Sequence, residues 1–127
     1  MARRSIHVDG YSHQNPIPVA SRVGNVIASS VISAIKPETG ETPESLEEQC
    51  EVVFANMRAI LAAGGATPED IVKVSFYMAD LSGRQVMNRF WLEMFPDADS
   101  RPARHTQHEQ LMPPRLISAD FIAVLDG

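Results

Sequence analysis

The stretch from Arg101 to Thr106 reads Arg-Pro-Ala-Arg-His-Thr and contains the residue types best suited to holding a small anion. It opens a segment that alternates in the manner of a strand. The alternation sorts its side chains into two faces, with Arg104, Thr106 and His108 on one and Ala103, His105 and Gln107 on the other. Arg104 would project from a rigid base, and its planar guanidinium, which stays protonated, is suited to a small carboxylate.

Arg104 has a second interpretation, as one half of a structural ion pair, for example with Asp120. From the pattern alone the structural pair is the preferred interpretation, because charged side chains within a fold often form ion pairs that have no role in function. The sequence therefore leaves both roles open at this position.

Composition narrows the class of protein. The 127 residues are 44% hydrophobic and 21% charged, which predicts one globular domain spanning 1–127 rather than a disordered chain. A net charge of −5 gives polyanion binding no electrostatic support. No apolar run approaches the length of a membrane span, and no hydrophobic signal region follows the basic residues near Met1. We therefore expect a soluble, cytoplasmic protein without nucleic-acid or membrane partners.

Two amphipathic helices should position the arginine strand. The stronger one covers Ser45–Ala63, with Thr42 as the cap and Pro43 in the first turn or, alternatively, Ser45 and Glu48 as a capping box. The second begins at Ser82, ends before Pro96 and directs Trp91 into the core. Strands are predicted at 5–8, 23–32, 71–78, 103–110 and 116–125. The strand at 71–78 is half-covered, with Val72, Val74, Phe76 and Met78 on its apolar face and Tyr77 on the other.

This order of elements predicts an α+β fold in which both helices cover one face of a mixed sheet. The opposite face then needs a partner, and the simplest partner is another copy of the chain. We expect a closed homo-oligomer.

The single cysteine and the histidines give no sign of a metal site. Cys50 lies on the apolar stripe of the first helix, which predicts a reduced, buried thiol. His105 and His108 face opposite sides of their strand and cannot chelate one metal together. His13 lies in a loop, where a surface role and a position over a neighbouring subunit's cleft both stay open.

Several short motifs follow one another in order over nearly the whole chain. They are Val23-Gly24-Asn25, Pro37-Glu38-Thr39-Gly40-Glu41, Glu48-Gln49 followed by Asn56, Ala62-Ala63-Gly64, Asp70-Ile71-Val72-Lys73-Val74, Met87-Asn88 and Arg101-Pro102-Ala103-Arg104. Each is weak alone, but the ordered set with its spacing is specific. In these motifs the chain resembles the reactive intermediate deaminase family, RidA, also called YjgF.

The resemblance implies an α+β, chorismate-mutase-like fold with a mixed six-stranded sheet, two helices on one face, and a homotrimer with clefts between subunits. It implies a cofactor-free hydrolysis of 2-imino or 2-enamino acids to 2-keto acids and ammonia. Arg104 matches the arginine that holds the substrate carboxylate. Asp120 matches the carboxylate that positions water, with a structural role as the alternative. The other substrate-binding positions proposed are Ile17, Ser30, Val31, Asn88, His105 and Thr106.

The chain departs from the family pattern at four places. Asp120 is one methylene shorter than the usual glutamate, and Ile17 stands where a tyrosine commonly closes the pocket. Ser30-Val31-Ile32 replaces Ser-Gly-Gln, and His105-Thr106 replaces Ser-Cys or Ser-Thr. These changes favour either another small carboxylate or amine substrate, or a non-catalytic, carboxylate-binding or regulatory trimer. Ribonuclease activity, a label attached to parts of the family, is disfavoured by the acidic charge.

Overall fold

The structure, a computed structural model, describes residues 1–126. These residues form seven strands and two α-helices, joined in places by short 3₁₀ turns. In chain order they are β1 (Arg4–Ile6), β2 (Ala20–Val23), β3 (Val26–Ser29), β4 (Ile32–Ser33), α1 (Leu46–Ala63), β5 (Ile71–Met78), α2 (Arg84–Met94), β6 (Ala103–His108) and β7 (Ile117–Val124).

One sheet contains all seven strands. Its order is β1-β2-β3-β7-β5-β6, and β4 pairs with β7 beyond the end of β3. Only β5 and β6 pair in parallel within the described chain; the other pairings are antiparallel. The expected mixed α+β sheet is confirmed, but with seven strands instead of six.

Three strands, β2, β3 and β4, replace the single strand that was predicted over 23–32, and that prediction was wrong. Gly24 has φ of 58°, a left-handed conformation that glycine adopts without strain, and it turns the chain between β2 and β3. A break at Ser30 and Val31 then separates β3 from β4.

Both helices cover the same face of the sheet, and the core lies between these layers. Val74 and Phe76 of β5, Phe121 of β7 and Phe54 of α1 are almost fully buried there. A β-bulge between Ile71 and Lys73 shifts the alternation at the start of β5. Val72, expected to face the core, is therefore 53% exposed.

The other face of the sheet carries no helix. Val26, Ile122 and Val124 lie on it, and each is more than 40% exposed. We call this surface the open face. No helix within residues 1–126 is long and apolar enough to cross a membrane.

Local hydrogen bonds explain where the helices start. Ser45 caps α1, because its Oγ accepts a hydrogen bond from the Glu48 N–H at 3.1 Å. The predicted bounds of this helix and the alternative cap at Ser45 are confirmed, and the cap at Thr42 with Pro43 in the first turn is wrong. Helix α2 starts at Arg84 rather than Ser82, because Asp80 accepts from the Ser82 N–H and caps a short 3₁₀ turn first.

Cys50 is fully buried, so the predicted core thiol is confirmed. Burial raises the pKa of this thiol from 9.0 to about 12, against a smaller opposing effect of Arg89. Because the folded pKa lies above the unfolded one, the neutral thiol contributes its full stability below pH 9. That contribution is lost as the pH rises toward 12.

Gln49 ties the start of α1 to the segment before β7. Its buried amide donates to the carbonyl oxygens of Pro43 and Pro114 and accepts from the Leu116 N–H, each at 2.8 Å. Gln49→Leu keeps most of the volume but leaves these three groups without partners. We expect the free energy of unfolding, measured by urea denaturation, to fall by about 3 kcal/mol.

Glu51→Leu is the matched control, because Glu51 lies on the same helix but is exposed. It should change the free energy of unfolding by less than about 0.5 kcal/mol. Equal effects of the two substitutions would contradict the assigned role of Gln49.

Candidate functional site

The Arg104 side chain projects from β6 on the helix-covered side of the sheet, where it lies against α2. Its Nη1 donates a hydrogen bond to Asn88 Oδ1 at 2.7 Å and lies 3.7 Å from Met87 Sδ. Its Cζ lies 5.1 Å from the centroid of the Trp91 ring, which is cation–π distance. Asn88 and Trp91 are one helical turn apart and therefore face Arg104 together.

Within residues 1–126 the charge of Arg104 has no acidic partner. Among residues 1–126 the one ion pair within 4 Å joins Arg89 to Glu47. The structural ion pair between Arg104 and Asp120 is therefore not formed within the chain. Burial, and then repulsion from Arg84, lower the pKa of Arg104, but an arginine remains protonated at neutral pH. A half-buried, unneutralised cation is unfavourable, and a bound anion would offset that cost.

Asp120 lies on the opposite face of the sheet from Arg104. Val74 of β5 pairs with Arg104 and with Phe121, whereas Ser75 pairs with Asp120. Because side chains alternate along a strand, Asp120 points to the open face. Strand β5 also separates β6 from β7, so these are not neighbouring strands. Arg104 and Asp120 therefore do not share a cleft within a single chain.

Asp120 has a tyrosine as its partner. The Tyr77 hydroxyl donates a hydrogen bond to Asp120 Oδ2 at 2.8 Å across the open face. This bond, and then burial, raise the pKa of Tyr77 above its ordinary 10.0. The phenol therefore stays protonated throughout the neutral range.

The break between β3 and β4 forms a bulge beside Asp120. Ala28 pairs with Ile122 and Ile32 with Ala119, so residues 29–31 lie opposite only residues 120 and 121. The bulge is fixed by the Ser29 hydroxyl, which accepts from the Phe121 N–H at 2.9 Å.

Ser30 and the segment before β2 extend this bulge. The Ser30 hydroxyl donates to the carbonyl oxygen of Pro18 at 2.8 Å, and this contact brings Ile17 to the same region. The side chains of Ile17 and Val31 are 47% and 44% exposed. Both are therefore free to contact another molecule.

The predicted site residues, taken with the side chains that contact them, fall into two groups within one chain. The arginine group consists of Arg104, Asn88, Thr106, Met87 and Trp91, all on the helix-covered side or on α2. The bulge group consists of Ile17, Ser30, Val31, Asp120 and Tyr77. His105 pairs with Ser75 and belongs to the open face, away from Arg104.

Enclosed polar atoms without hydrogen-bond partners in the described chain occur at Thr106 and at His13. Thr106 Oγ1, on the same face as Arg104, is enclosed and has no hydrogen-bond partner in the described chain. The same holds for Nε2 of His13, whose ring lies edge-on to Tyr11 with centroids 6.2 Å apart. Within residues 1–126 no cluster of three or more His, Cys, Asp or Glu side chains is placed to hold a metal ion.

Sequence reasoning missed Trp91 and Tyr77. Trp91 was interpreted as a core residue. Its position one helical turn after Asn88 also places it beside Arg104. Tyr77 was interpreted only as part of a half-covered strand. Its contact with Asp120 depends on strand order and register, which no local pattern reveals.

A model of the protein family described as Endoribonuclease L-PSP matches residues 11–124. The chain belongs to this family, also called RidA or YjgF. A RutC family protein of Pyrococcus abyssi is 40% identical over 90 residues, which cover 70% of this chain and 69% of that protein. The chloroplastic Reactive Intermediate Deaminase A of Arabidopsis thaliana is 34% identical over 99 residues, covering 77% of this chain and 52% of that longer protein.

The fold is also that of a RidA protein of known structure. The crystal structure of RidA from the Antarctic bacterium Psychrobacter sp. superposes with a TM-score of 0.88 at 27% identity, covering 96% of this chain and 99% of that one. Three of the positions at which the sequence departs from the pattern of the family that it resembles lie in the bulge group of this RidA-family chain. They are Ile17, Val31 and Asp120.

Proposed function

We propose that this RidA-family chain hydrolyses reactive 2-imino and 2-enamino acids to 2-keto acids and ammonia. The observation that carries the proposal is Arg104, which is held by Asn88 and Trp91 and has no acidic partner among the residues that the structure describes. Only Nη1 donates within the described chain, so Nε and Nη2 remain available for a substrate carboxylate. Two parallel hydrogen bonds from one guanidinium fix both the position and the plane of such a group.

The chemistry needs little more than positioning. Water adds to the carbon of the protonated imine while Asp120 accepts one proton of the water, which gives a neutral carbinolamine. Asp120 then returns this proton to the carbinolamine nitrogen. The carbon–nitrogen bond breaks as the hydroxyl loses its proton to solvent, and ammonia leaves with the 2-keto acid. A 2-enamino acid first takes up a proton at C3 to become the imine. Holding the substrate carboxylate beside an oriented water supplies much of the acceleration.

The proposed site requires two copies of the chain, because the arginine group and the bulge group lie on different faces of one sheet. A second copy that brings its bulge group to the first copy's Arg104 completes the cleft. The exposed valines and isoleucine of the open face give such copies an apolar surface to bury. We propose a homotrimer, for which light scattering coupled to size-exclusion chromatography is the direct check.

The activity is tested with freshly generated imines. An amino-acid oxidase produces 2-imino acids in place, and keto-acid release is followed with and without the protein. We expect acceleration over buffer for at least one aliphatic 2-imino acid. No acceleration across several side chains would overturn the proposed function.

A second candidate function is carboxylate binding without turnover. Ile17 and Val31 favour it, because these exposed apolar residues replace the tyrosine and glycine of the family pattern. Saturable thermal stabilisation by 2-keto acids, in a protein that does not turn over imines, would support this function over hydrolysis. Ribonuclease activity has less support, since a net charge of −5 disfavours RNA binding.

Val31 should set the size of the accepted side chain. A branched residue in the bulge fills space that glycine would leave open. We expect Val31→Gly to raise kcat/KM for bulky 2-imino acids about tenfold relative to small ones, because contacts of this size discriminate by about 10-fold or more. The measurement is the ratio of kcat/KM for a large and a small substrate.

Val72→Gly is a control for the same substitution, since Val72 is exposed and lies at the start of β5, outside the bulge. It should leave the substrate ratio unchanged. A ratio that also stays constant in Val31→Gly would remove Val31 from the cleft.

A further inference from the structure

Tyr77 on β5 contacts Asp120 on the adjacent strand β7 along a diagonal. In the register of β5 and β7, Ser75 lies directly opposite Asp120, and Tyr77 lies opposite Ser118. Diagonal neighbours in antiparallel strands are about 7–8 Å apart, a distance that an aromatic side chain can span. The 2.8 Å hydrogen bond to Oδ2 shows that Tyr77 does so.

The contact constrains a carboxylate that is short for its task. Asp120 reaches one methylene less far than a glutamate, and an unconstrained aspartate rotates broadly about its last torsion. With Oδ2 occupied by Tyr77, no hydrogen bond within residues 1–126 engages Oδ1. A single acceptor oxygen is therefore left free beside the bulge.

We propose that Tyr77 is the positioning residue for Asp120, holding the carboxylate so that its free oxygen orients the attacking water. This assignment rests on the proposed function. The hydroxyl acts through Asp120 and does not touch the substrate. By fixing the orientation of the Asp120 carboxylate, Tyr77 compensates for a side chain that is one methylene shorter than glutamate.

The protonation state of Tyr77 suits this role. The hydrogen bond to Asp120 raises the pKa of Tyr77, so the hydroxyl remains a donor at every pH at which imines are handled. A tyrosinate in that place would instead repel the carboxylate.

A purely structural role of Tyr77 would give different results. Substitution of Tyr77 would then lower the stability of the protein, and kcat and KM would change only as far as the folded fraction falls. A positioning residue predicts a loss in kcat that depends on Asp120, with little change in KM, because Arg104 still holds the substrate.

The first experiment is a double-mutant cycle on the full-length protein with an aliphatic 2-imino acid. We expect Tyr77→Phe to lower kcat about tenfold and to change KM less than about twofold. In the Asp120→Asn background, Tyr77→Phe should cause no further loss. Asp120→Glu combined with Tyr77→Phe should recover most of the lost kcat, since the longer side chain needs no brace.

Tyr11→Phe is the matched control. The Tyr11 hydroxyl is buried and accepts from the Ser33 N–H at 2.8 Å, so its removal lowers stability without acting on Asp120. Its effect on kcat should be small and equal in both backgrounds. Thermal unfolding of every variant verifies that the compared proteins are folded.

A second experiment does not need activity. Tyrosinate absorbance in a spectrophotometric titration of the wild-type protein and of Asp120→Asn reports the ionisation of Tyr77. We expect Asp120→Asn to lower the pKa of Tyr77 toward 10.0, because a neutral amide oxygen accepts the hydrogen bond more weakly than the carboxylate and carries no negative charge.

The outcomes separate this assignment from the function on which it rests. An active wild-type protein with an unaffected Tyr77→Phe, or with losses that multiply independently of Asp120, overturns the role of Tyr77 alone. An unchanged tyrosine titration in Asp120→Asn does the same. A wild-type protein without any acceleration overturns the proposed function, and the role of Tyr77 with it.

Discussion

Arg104→Ala should lower kcat/KM for 2-imino acids by about thirty- to several thousand-fold, because removing one partner of an enclosed, hydrogen-bonded charge pair costs about 2–5 kcal/mol. Arg104 is the one cation of the arginine group, and Asn88 and Trp91 hold it in place. Without it the substrate carboxylate has no bidentate partner. Initial rates over a range of imine concentrations measure the loss.

Two variants show whether geometry or charge matters at this position. Arg104→Lys keeps the charge but cannot form two parallel hydrogen bonds, so it should recover only part of the activity. Arg89→Ala removes an equal charge from an exposed position on α2 and should leave kcat/KM within about twofold, since exposed ion pairs contribute little. Wild-type activity in Arg104→Ala would show that the carboxylate is held elsewhere.

Asp120→Asn is expected to lower kcat about a hundredfold with KM nearly unchanged, because general base catalysis typically contributes 10²–10⁴-fold. The asparagine keeps the size of the side chain and can still accept from Tyr77 through its Oδ1. It cannot accept a proton from water at neutral pH. Steady-state kinetics separates kcat from KM.

Asn15→Ala is the control for a polar change in an exposed loop residue and should leave both constants unchanged. A rise in KM without a loss of kcat in Asp120→Asn would contradict water positioning. It would assign Asp120 to substrate binding instead.

The sequence predicted the elements whose signals are local. The periodic apolar stripe and the Ser45 cap define α1 to within one residue, and the alternation over 71–78 gives the bounds of β5. The hairpin at Gly24 was hidden, because the β-rich residues continue across the turn. The exposure of Val72 also escaped prediction, since a bulge changes the face without changing the composition.

The residues of the candidate site also differ in whether a local sequence signal predicts them. Arg104 follows from residue type and from the family motif, and the alternation of β6 gave its face correctly. Its relation to Asp120 depends on β5 lying between β6 and β7, which is a property of the whole sheet. Tyr77 becomes visible only once the register places it diagonally from Asp120.

The two groups also explain why one chain contains the residues of the proposed site without assembling it. Arg104 faces α2, and Asp120 faces the open side of the sheet with the bulge. In a closed ring of identical subunits, each copy would give its arginine group to one neighbour and its bulge group to the other. Association would then be a condition of activity and not only of stability.

Mixing two inactive variants tests this claim most directly. Arg104→Ala and Asp120→Asn are unfolded together, refolded as an equal mixture and assayed beside each variant refolded alone. If each cleft takes Arg104 from one copy and Asp120 from the next, random assembly restores about one quarter of the wild-type activity, since one interface in four is then intact. A mixture no more active than its two components would show that the cleft is not shared between copies, and would contradict the account.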